Sequence, residues 1–359
     1  MPEGHSVHRI ANQFEASFVG KTVQISSPQG RFASGAARLD GAVLVDAKAV
    51  GKQMFLEFDN GLFLQVHLGL YGSWDFAGDF SLDPTTRSAG GRMGQTNQRG
   101  TDLPGDALPS DALPSDALPG DDLVDEAGED SWKSIGAPRK ARMVRVGKPL
   151  SAARLRMAES EKREDDVDLE AFPPDPVGAV RVRILAPDVV ADLRGPTKCE
   201  VREAPEVDAI IAKLGPDPLV DSPKKGSDRF YERVHKTKTM IGLLLMDQSV
   251  VSGIGNVYRA EMLFRARLNP HTPGNEVPEE IVRALWKDWS KLLKSGVQLG
   301  QMMTMDRLSK KAYAQAMKSR ADRHWVYHRE GLPCRVCGTN ILMEEAAGRK
   351  LYWCPVCQA

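Results

Sequence analysis

Three groups of residues in this chain have types and spacings that can do chemistry. Cys334 and Cys337 are separated by two residues, Cys354 and Cys357 likewise, and sixteen residues lie between the pairs. Four thiolates on two such knuckles close a tetrahedral site for one structural zinc ion. The second group is Ser252-Gly-Ile-Gly255-Asn256-Val-Tyr258-Arg259-Ala-Glu261, which follows a helical stretch at 240–248. A Gly-rich turn between two helices leaves amides free at the start of the second helix. Such an end, with Asn256 beside it, suits a phosphate, and so do the preceding Lys236 and Lys238. Ordinary helix–turn–helix packing accounts for the same glycines.

The third group is Met1-Pro2-Glu3-Gly4. Removal of Met1 leaves a secondary amine on Pro2. An α-amino group has a pKa of about 8, so much of it is unprotonated at neutral pH. Attack on a sugar carbon gives an iminium, an electron sink for breaking C–O bonds, with Glu3 beside it as a proton shuttle. Proline after methionine is common, so this pattern alone carries little.

Periodicity supplies the elements that must position these groups. Residues 6–18 place Val7, Ile10, Ala11 and Phe14 on one side of a helix. Strand-like runs follow at 22–25, 42–47, 54–58 and 62–68, several alternating apolar with polar, and strand signals resume at 179–185 and 189–193. From about 205 the pattern is helical, over 205–213, 237–247, 256–266 and 278–296. Residues 341–343 and 350–353 read as a hairpin between the cysteine pairs, with Arg349 near its turn. The fold class is therefore α+β: a mostly β domain over 1–76 and 179–203, a helical domain over 204–326, and a zinc module over 327–359.

Charge is uneven. The whole chain carries 48 basic and 48 acidic residues. Yet 101–130 holds ten acidic side chains and no basic one, whereas 201–359 holds 25 Lys/Arg against 18 Asp/Glu, a balance of about +7. Residues 77–178 are rich in Gly, Pro, Ser and charge. A five-residue period starting at Leu103, Leu108, Leu113 and Leu118 puts a proline in every repeat, which excludes regular helix and sheet. This stretch is expected to be a disordered insertion, with a basic flank at Arg139, Lys140, Arg142, Arg145 and Lys148. Five cysteines are too few for a disulfide scaffold of this size. With no export signal and no apolar run of membrane-spanning length, a cytoplasmic, nucleoid-associated protein is expected.

Taken in order, Pro2-Glu3-Gly4, Gly51-Lys52, His67-Leu-Gly-Leu-Tyr71-Gly-Ser, Leu214-Gly-Pro-Asp-Pro218, Asp247-Gln248 with the Gly-Ile-Gly-Asn turn, and Arg349 with the four cysteines closely resemble the formamidopyrimidine-DNA glycosylase/endonuclease VIII family. The resemblance covers about 1–76 and 179–359. It implies an N-terminal β-sandwich flanked by helices, then a helix–two-turn–helix domain and a zinc finger, acting as a monomer on damaged double-stranded or abasic-site DNA. It implies Pro2 as nucleophile, Glu3 as acid/base, and Lys52 close to the lesion's phosphate. Asn256 and Arg349 match the pair gripping the phosphates that flank the flipped nucleotide, and His67 a further backbone contact. Leu70 and Tyr71 match the residues that fill the void left by the extruded base. A glycosylase with AP lyase activity follows, the alternative being a non-catalytic damaged-DNA-binding protein of the same fold.

Two departures bear on specificity. Many formamidopyrimidine-type members begin Pro-Glu-Leu-Pro-Glu, whereas Gly4, His5 and Ser6 stand here. An Arg-Arg-Phe loop is replaced by Asp192-Leu-Arg194-Gly-Pro-Thr-Lys-Cys199-Glu. Both features resemble the endonuclease VIII branch, which favours oxidised pyrimidines. Cys199, outside the two pairs, is expected to pack in the core.

Overall fold

The computed structural model describes residues 2–79, 150–158, 162–169 and 172–359. Helix α1 (Gly4–Phe18) forms because Val7, Ile10, Ala11, Phe14 and Phe18 recur at three- and four-residue spacing and bury one face. Phe14 meets the rings of Trp74 and Phe76 with centroids 4.7 and 5.1 Å apart. Burying a side chain of that size contributes about 2–3 kcal/mol.

These aromatics sit between two antiparallel sheets. The first joins β1 (Gln24–Ser26), β5 (Ser73–Gly78), β6 (Leu150–Met157), β7 (Lys162–Leu169), β8 (Val180–Leu185) and β9 (Val189–Arg194) in the order β1-β8-β9-β5-β6-β7. The second joins β2 (Leu44–Val50), β3 (Gln53–Phe58), β4 (Leu62–His67) and β10 (Lys198–Glu203) in the order β10-β4-β3-β2. Leu44, Ala47, Leu56, Leu64 and Val66 of the second face Trp74, Phe76, Val182, Ile184 and Leu193 of the first in one core, so the N-terminal domain is a β-sandwich. Helix α2 (Ala33–Leu39) adds Ala36 and Leu39 to that core. Cys199 is partly buried against it, and burial pushes its thiol up to about 12.

Strands β6 and β7 correct the sequence reading, which placed them in a disordered insertion. Gly78 pairs with Ala153 and Trp74 with Met157, so β6 extends the sheet directly from β5. Its periodicity is short and mixed with arginines, and the sheet supplies the pairing partners that the local sequence does not announce. The acidic repeat and its basic flank lie outside the described residues.

Helix α3 (Ala204–Lys213) starts at a capping box between Glu203 and Glu206 and lays Val207, Ile210 and Ile211 on Phe55 and Phe63. The helical domain follows as α4 (Pro223–His235), α5 (Ile241–Leu244), α6 (Asn256–Arg265), α7 (Glu279–Leu299) and α8 (Lys310–Lys318). Its core includes Phe230, Val234, Ile241, Val257, Met262, Trp286, Trp289 and Leu293. The helix expected over 237–247 is a loop followed by the single turn α5. Thr237 Oγ1 accepts the Thr239 N–H at 3.1 Å, and Met240 pairs with Pro273, which diverts the backbone from helix. Strands β11 (Leu342–Ala346) and β12 (Arg349–Trp353) pair as the expected hairpin, with Arg349 just past its Ala347–Gly348 turn.

Candidate active site

Glu3 stands where the two domains meet. Its carboxylate is 2 % exposed and turns away from its own helix toward the start of α6. Oε2 accepts the Gly255 N–H at 2.8 Å and Tyr258 N–H at 3.4 Å, and Oε1 accepts Val257 N–H at 2.9 Å. An anion at the positive end of a helix is stabilised by both the dipole and these donors. Only glycine fits at 255, because a Cβ there would lie 2.5 Å from Glu3 Cδ. Alongside, the Gly4 N–H donates to Gly253 O at 2.8 Å, and a Cβ on Gly4 would stand 2.9 Å from Gly253 Cα. Pro2 is buried at the same seam.

This geometry corrects the expectation that the α6 amides receive a phosphate. Three of them are taken by Glu3. The Asn256 side chain also stands at that end, its Oδ1 accepting from the Arg259 guanidinium and its NH2 left as donor.

Lys52 follows Gly51 in the turn between β2 and β3 and is 8 % exposed. Burial pulls its ammonium down to about 8; the Glu3 carboxylate opposes this and the Arg349 charge adds to it. The same burial raises the Glu3 carboxyl, opposed by Lys52 and by the Val257 and Gly255 amides. Desolvation outweighs the mutual attraction, so acid and base lie closer in proton affinity than they do in water. His67, at the end of β4, is held below its usual range by burial, with the Lys52 and Lys198 charges adding. It sits 3.4 Å from Thr197 Oγ1 through Nδ1.

Beyond His67 the loop at 68–72 is closed by Gly72 N–H on Leu68 O at 3.0 Å and backed by the 195–197 loop, where Thr197 N–H donates to His67 O at 2.9 Å. Leu70 and Tyr71 on this loop are 43 % and 49 % exposed. Large apolar side chains on a tethered loop beside a cationic cluster are what an insertion into a base stack requires. Lys236 and Lys238 are exposed between α4 and α5, and among the described residues no bond ties either to the Glu3–Lys52 group.

Arg349 is exposed on the zinc hairpin. The hairpin reaches the site through Arg259, a buried guanidinium on α6 that donates to Lys350 O at 2.8 Å as well as to Asn256. Burial lowers Arg259 to about 10, with Glu3 opposing and Arg349 adding. Glu261, two residues further along α6, accepts the N–H groups of Trp325, Val326 and Tyr327 at 2.7, 2.8 and 2.9 Å. Arg259 and Glu261 escaped the sequence reading of roles. The signal was present, since both are charged residues inside a helix whose positions 257–264 are all buried.

The four sulfurs of Cys334, Cys337, Cys354 and Cys357 all lie within 4.8 Å of one another, with Cys334–Cys357 at 3.9 Å and Cys337–Cys354 at 3.5 Å. Zn–S bonds of about 2.3 Å in a tetrahedron put sulfurs about 3.8 Å apart, so the thiols fit one zinc ion. The ion's contribution is structural: it closes both knuckles around the hairpin that carries Arg349.

A sandwich joined to a helical domain by a buried carboxylate–lysine pair, with a four-cysteine module leaning in, defines a known class. The family model for the formamidopyrimidine-DNA glycosylase N-terminal domain matches residues 1–100, that for its H2TH domain 214–307, and that for the zinc finger found in FPG and IleRS 331–359. Endonuclease 8 1 of Mycobacterium tuberculosis is 33 % identical over 359 residues, covering 100 % of both chains. Formamidopyrimidine-DNA glycosylase of Thermus thermophilus is 36 % identical over 169 residues, 46 % of this chain and 60 % of that protein. Among solved structures, the Lactococcus lactis Fpg complexed with abasic-site DNA superposes with a TM-score of 0.60 at 18 % identity, covering 99 % of each chain. The chain belongs to the formamidopyrimidine-DNA glycosylase/endonuclease VIII family, DNA glycosylases of base excision repair. Among the described residues no helix is long and apolar enough to cross a membrane.

Proposed function

We propose that the protein is a bifunctional DNA glycosylase/AP lyase that removes oxidised bases, pyrimidines preferred, from duplex DNA. The observation that carries this reading is the burial of Glu3 and Lys52 at the domain seam next to Pro2, with the Glu3 carboxylate held by the Gly255, Val257 and Tyr258 amides. Once Met1 is removed, the Pro2 nitrogen attacks C1′ of the damaged nucleotide and the base departs with its bonding electrons. Glu3 donates a proton to the sugar ring oxygen, the ring opens, and an iminium joins Pro2 to C1′. Loss of a C2′ proton into that electron sink expels the 3′ phosphate, and a second elimination expels the 5′ phosphate. Lys52, Asn256, His67 and Arg349 hold the flanking phosphates, Lys236 and Lys238 contact the backbone further along, and Leu70 and Tyr71 fill the gap in the stack. Abasic-site DNA, the ligand of the Lactococcus relative, is the minimal substrate.

Borohydride added during reaction with an abasic oligonucleotide tests this, because it reduces an iminium to a stable amine. Wild type whose N-terminus is confirmed by mass spectrometry to be Pro2 should give a covalent adduct on a denaturing gel, and Pro2→Gly should lose it. Glu3→Gln should reduce excision of an oxidised pyrimidine more than cleavage at a preformed abasic site. A wild-type protein that binds the oligonucleotide tightly yet forms no adduct is the non-catalytic binder.

A further inference from the structure

Both members of the buried pair belong to the N-terminal domain, yet each is held from the helical one. For Glu3 the holders are the α6 amides. For Lys52 the holder is Asp217, a fully buried carboxylate in the Leu214–Pro218 segment that precedes α4. Asp217 Oδ2 accepts the Gly51 N–H at 2.6 Å and His8 Nε2–H at 2.9 Å, while Oδ1 accepts the Leu219 N–H at 2.8 Å. Gly51 occupies the left-handed region at φ 60°, and a Cβ there would lie 2.6 Å from Ser252 Cβ. The turn presenting Lys52 is thus pinned from the partner domain by one oxygen atom, and that atom is shared with His8 of α1. His8 is itself 8 % exposed. Without its donor, a buried carboxylate oxygen keeps only the Gly51 amide, and an under-satisfied buried anion is free to draw in water or turn away.

We infer that His8 is a positioning residue: through Asp217 it fixes the Gly51–Lys52 turn, so that the Lys52 ammonium faces Glu3 when the domains are docked. The inference rests on the glycosylase/lyase reading for its kinetic consequence, but the placement of Lys52 does not depend on it. His8 and Asp217 make no step of the chemistry. They determine whether acid and cation stand together when DNA enters.

The test compares His8→Phe, which keeps a ring without a donor, with His8→Gln, whose amide reaches about as far as Nε2. Two readouts are taken on the full-length protein, each variant first checked by circular dichroism to be folded at the assay temperature. The first is the single-turnover rate of borohydride trapping on saturating abasic DNA. It should fall about tenfold or more in His8→Phe and return to within about threefold in His8→Gln, with DNA affinity unchanged in both. The second is the titration of Lys52 without DNA, followed through its 13Cε chemical shift in protein made with 13C-labelled lysine. It should lie near 8 in wild type and His8→Gln and move toward the value of a solvated lysine, about 10.4, in His8→Phe. If His8→Phe does not fold, His8→Asn, one methylene short of the carboxylate, replaces it. An unmoved Lys52 titration in the donor-less variant overturns the proposal, as does a folded His8→Gln as slow as His8→Phe. A wild type that forms no adduct defeats the enzymatic reading instead, and the Lys52 titration still judges His8.

Discussion

The seam around Glu3 and the zinc hairpin around Arg349 both deliver a charged group to the same place, by opposite means. At the seam, backbone meets backbone. Gly4 lies against Gly253, Gly51 against Ser252, Gly255 against Glu3, and the charge is held by amides rather than by other side chains. At the hairpin, Arg349 is exposed and its module is tied down by side chains: Arg259 to Lys350 O on the same strand, His271 to Glu344 on the other strand at 2.5 Å, and Gln358 beyond the hairpin to Leu268 O at 3.0 Å. The first arrangement leaves no room for a side chain at Gly4, Gly51 or Gly255. The second is a clamp of separable parts around a removable ion. On the proposed function, the proton-moving groups have the former and the phosphate grip the latter.

That contrast predicts a ladder of effects. Gly255→Ala drives a methyl into the Glu3 carboxylate; the trapping rate on abasic DNA should drop by about two orders of magnitude or more, equivalent to about 3 kcal/mol. A rate within threefold of wild type would mean that the seam yields and the contrast is wrong. Removing zinc with a chelator, or by Cys337→Ser, should loosen Arg349 and weaken abasic-DNA affinity about ten- to thirtyfold in a filter-binding titration. The helical and sheet domains should keep their unfolding transition, because the ion closes only its own module. Coupled melting of the entire protein would show the module to be as integral as the seam. His271→Ala removes a half-exposed contact with Glu344 and an edge-on contact with Trp353. Affinity should change by threefold at most, consistent with the ~0–1 kcal/mol of exposed pairs.

Legibility followed the same divide. Ligand spacing announced the zinc module because four cysteines at x2 intervals have few other uses, and the apolar period of α1 announced the helix that carries Glu3. Strands β2, β3 and β4 are short apolar runs bounded by glycines and turn residues, which reads them within a residue or three of their ends. Helix α4 was missed because its sequence is dominated by Lys, Asp and Arg. Its buried stripe is only Gly226, Phe230 and Val234, although Ser222 and Pro223 mark its start. The direction of Glu3 could not be read at all, since which helix end a carboxylate caps depends on chain segments more than 250 residues apart. Nor could the His8–Asp217 link, whose partners are 209 residues apart. Leu70 and Tyr71 are exposed and so do not pack in the core, which their spacing alone leaves open.

The pairing of Gly78 with Ala153 has a consequence for how this chain can vary. The chain leaves the sandwich after β5 and re-enters it at Leu150, three residues ahead of the Ala153 that stands opposite Gly78, so the ladder holds the two ends near each other. Whatever joins them is a loop already closed, and doubling such a loop adds only about 0.6 kcal/mol of closure entropy. The sheet therefore works as a port: sequence between these strands can be lengthened, shortened or exchanged over generations while the glycine seam, on the other side of the sandwich core, stays under full constraint. Replacing residues 80–149 with a short turn is the corresponding engineering step, and the sandwich should keep its melting temperature to within a few degrees.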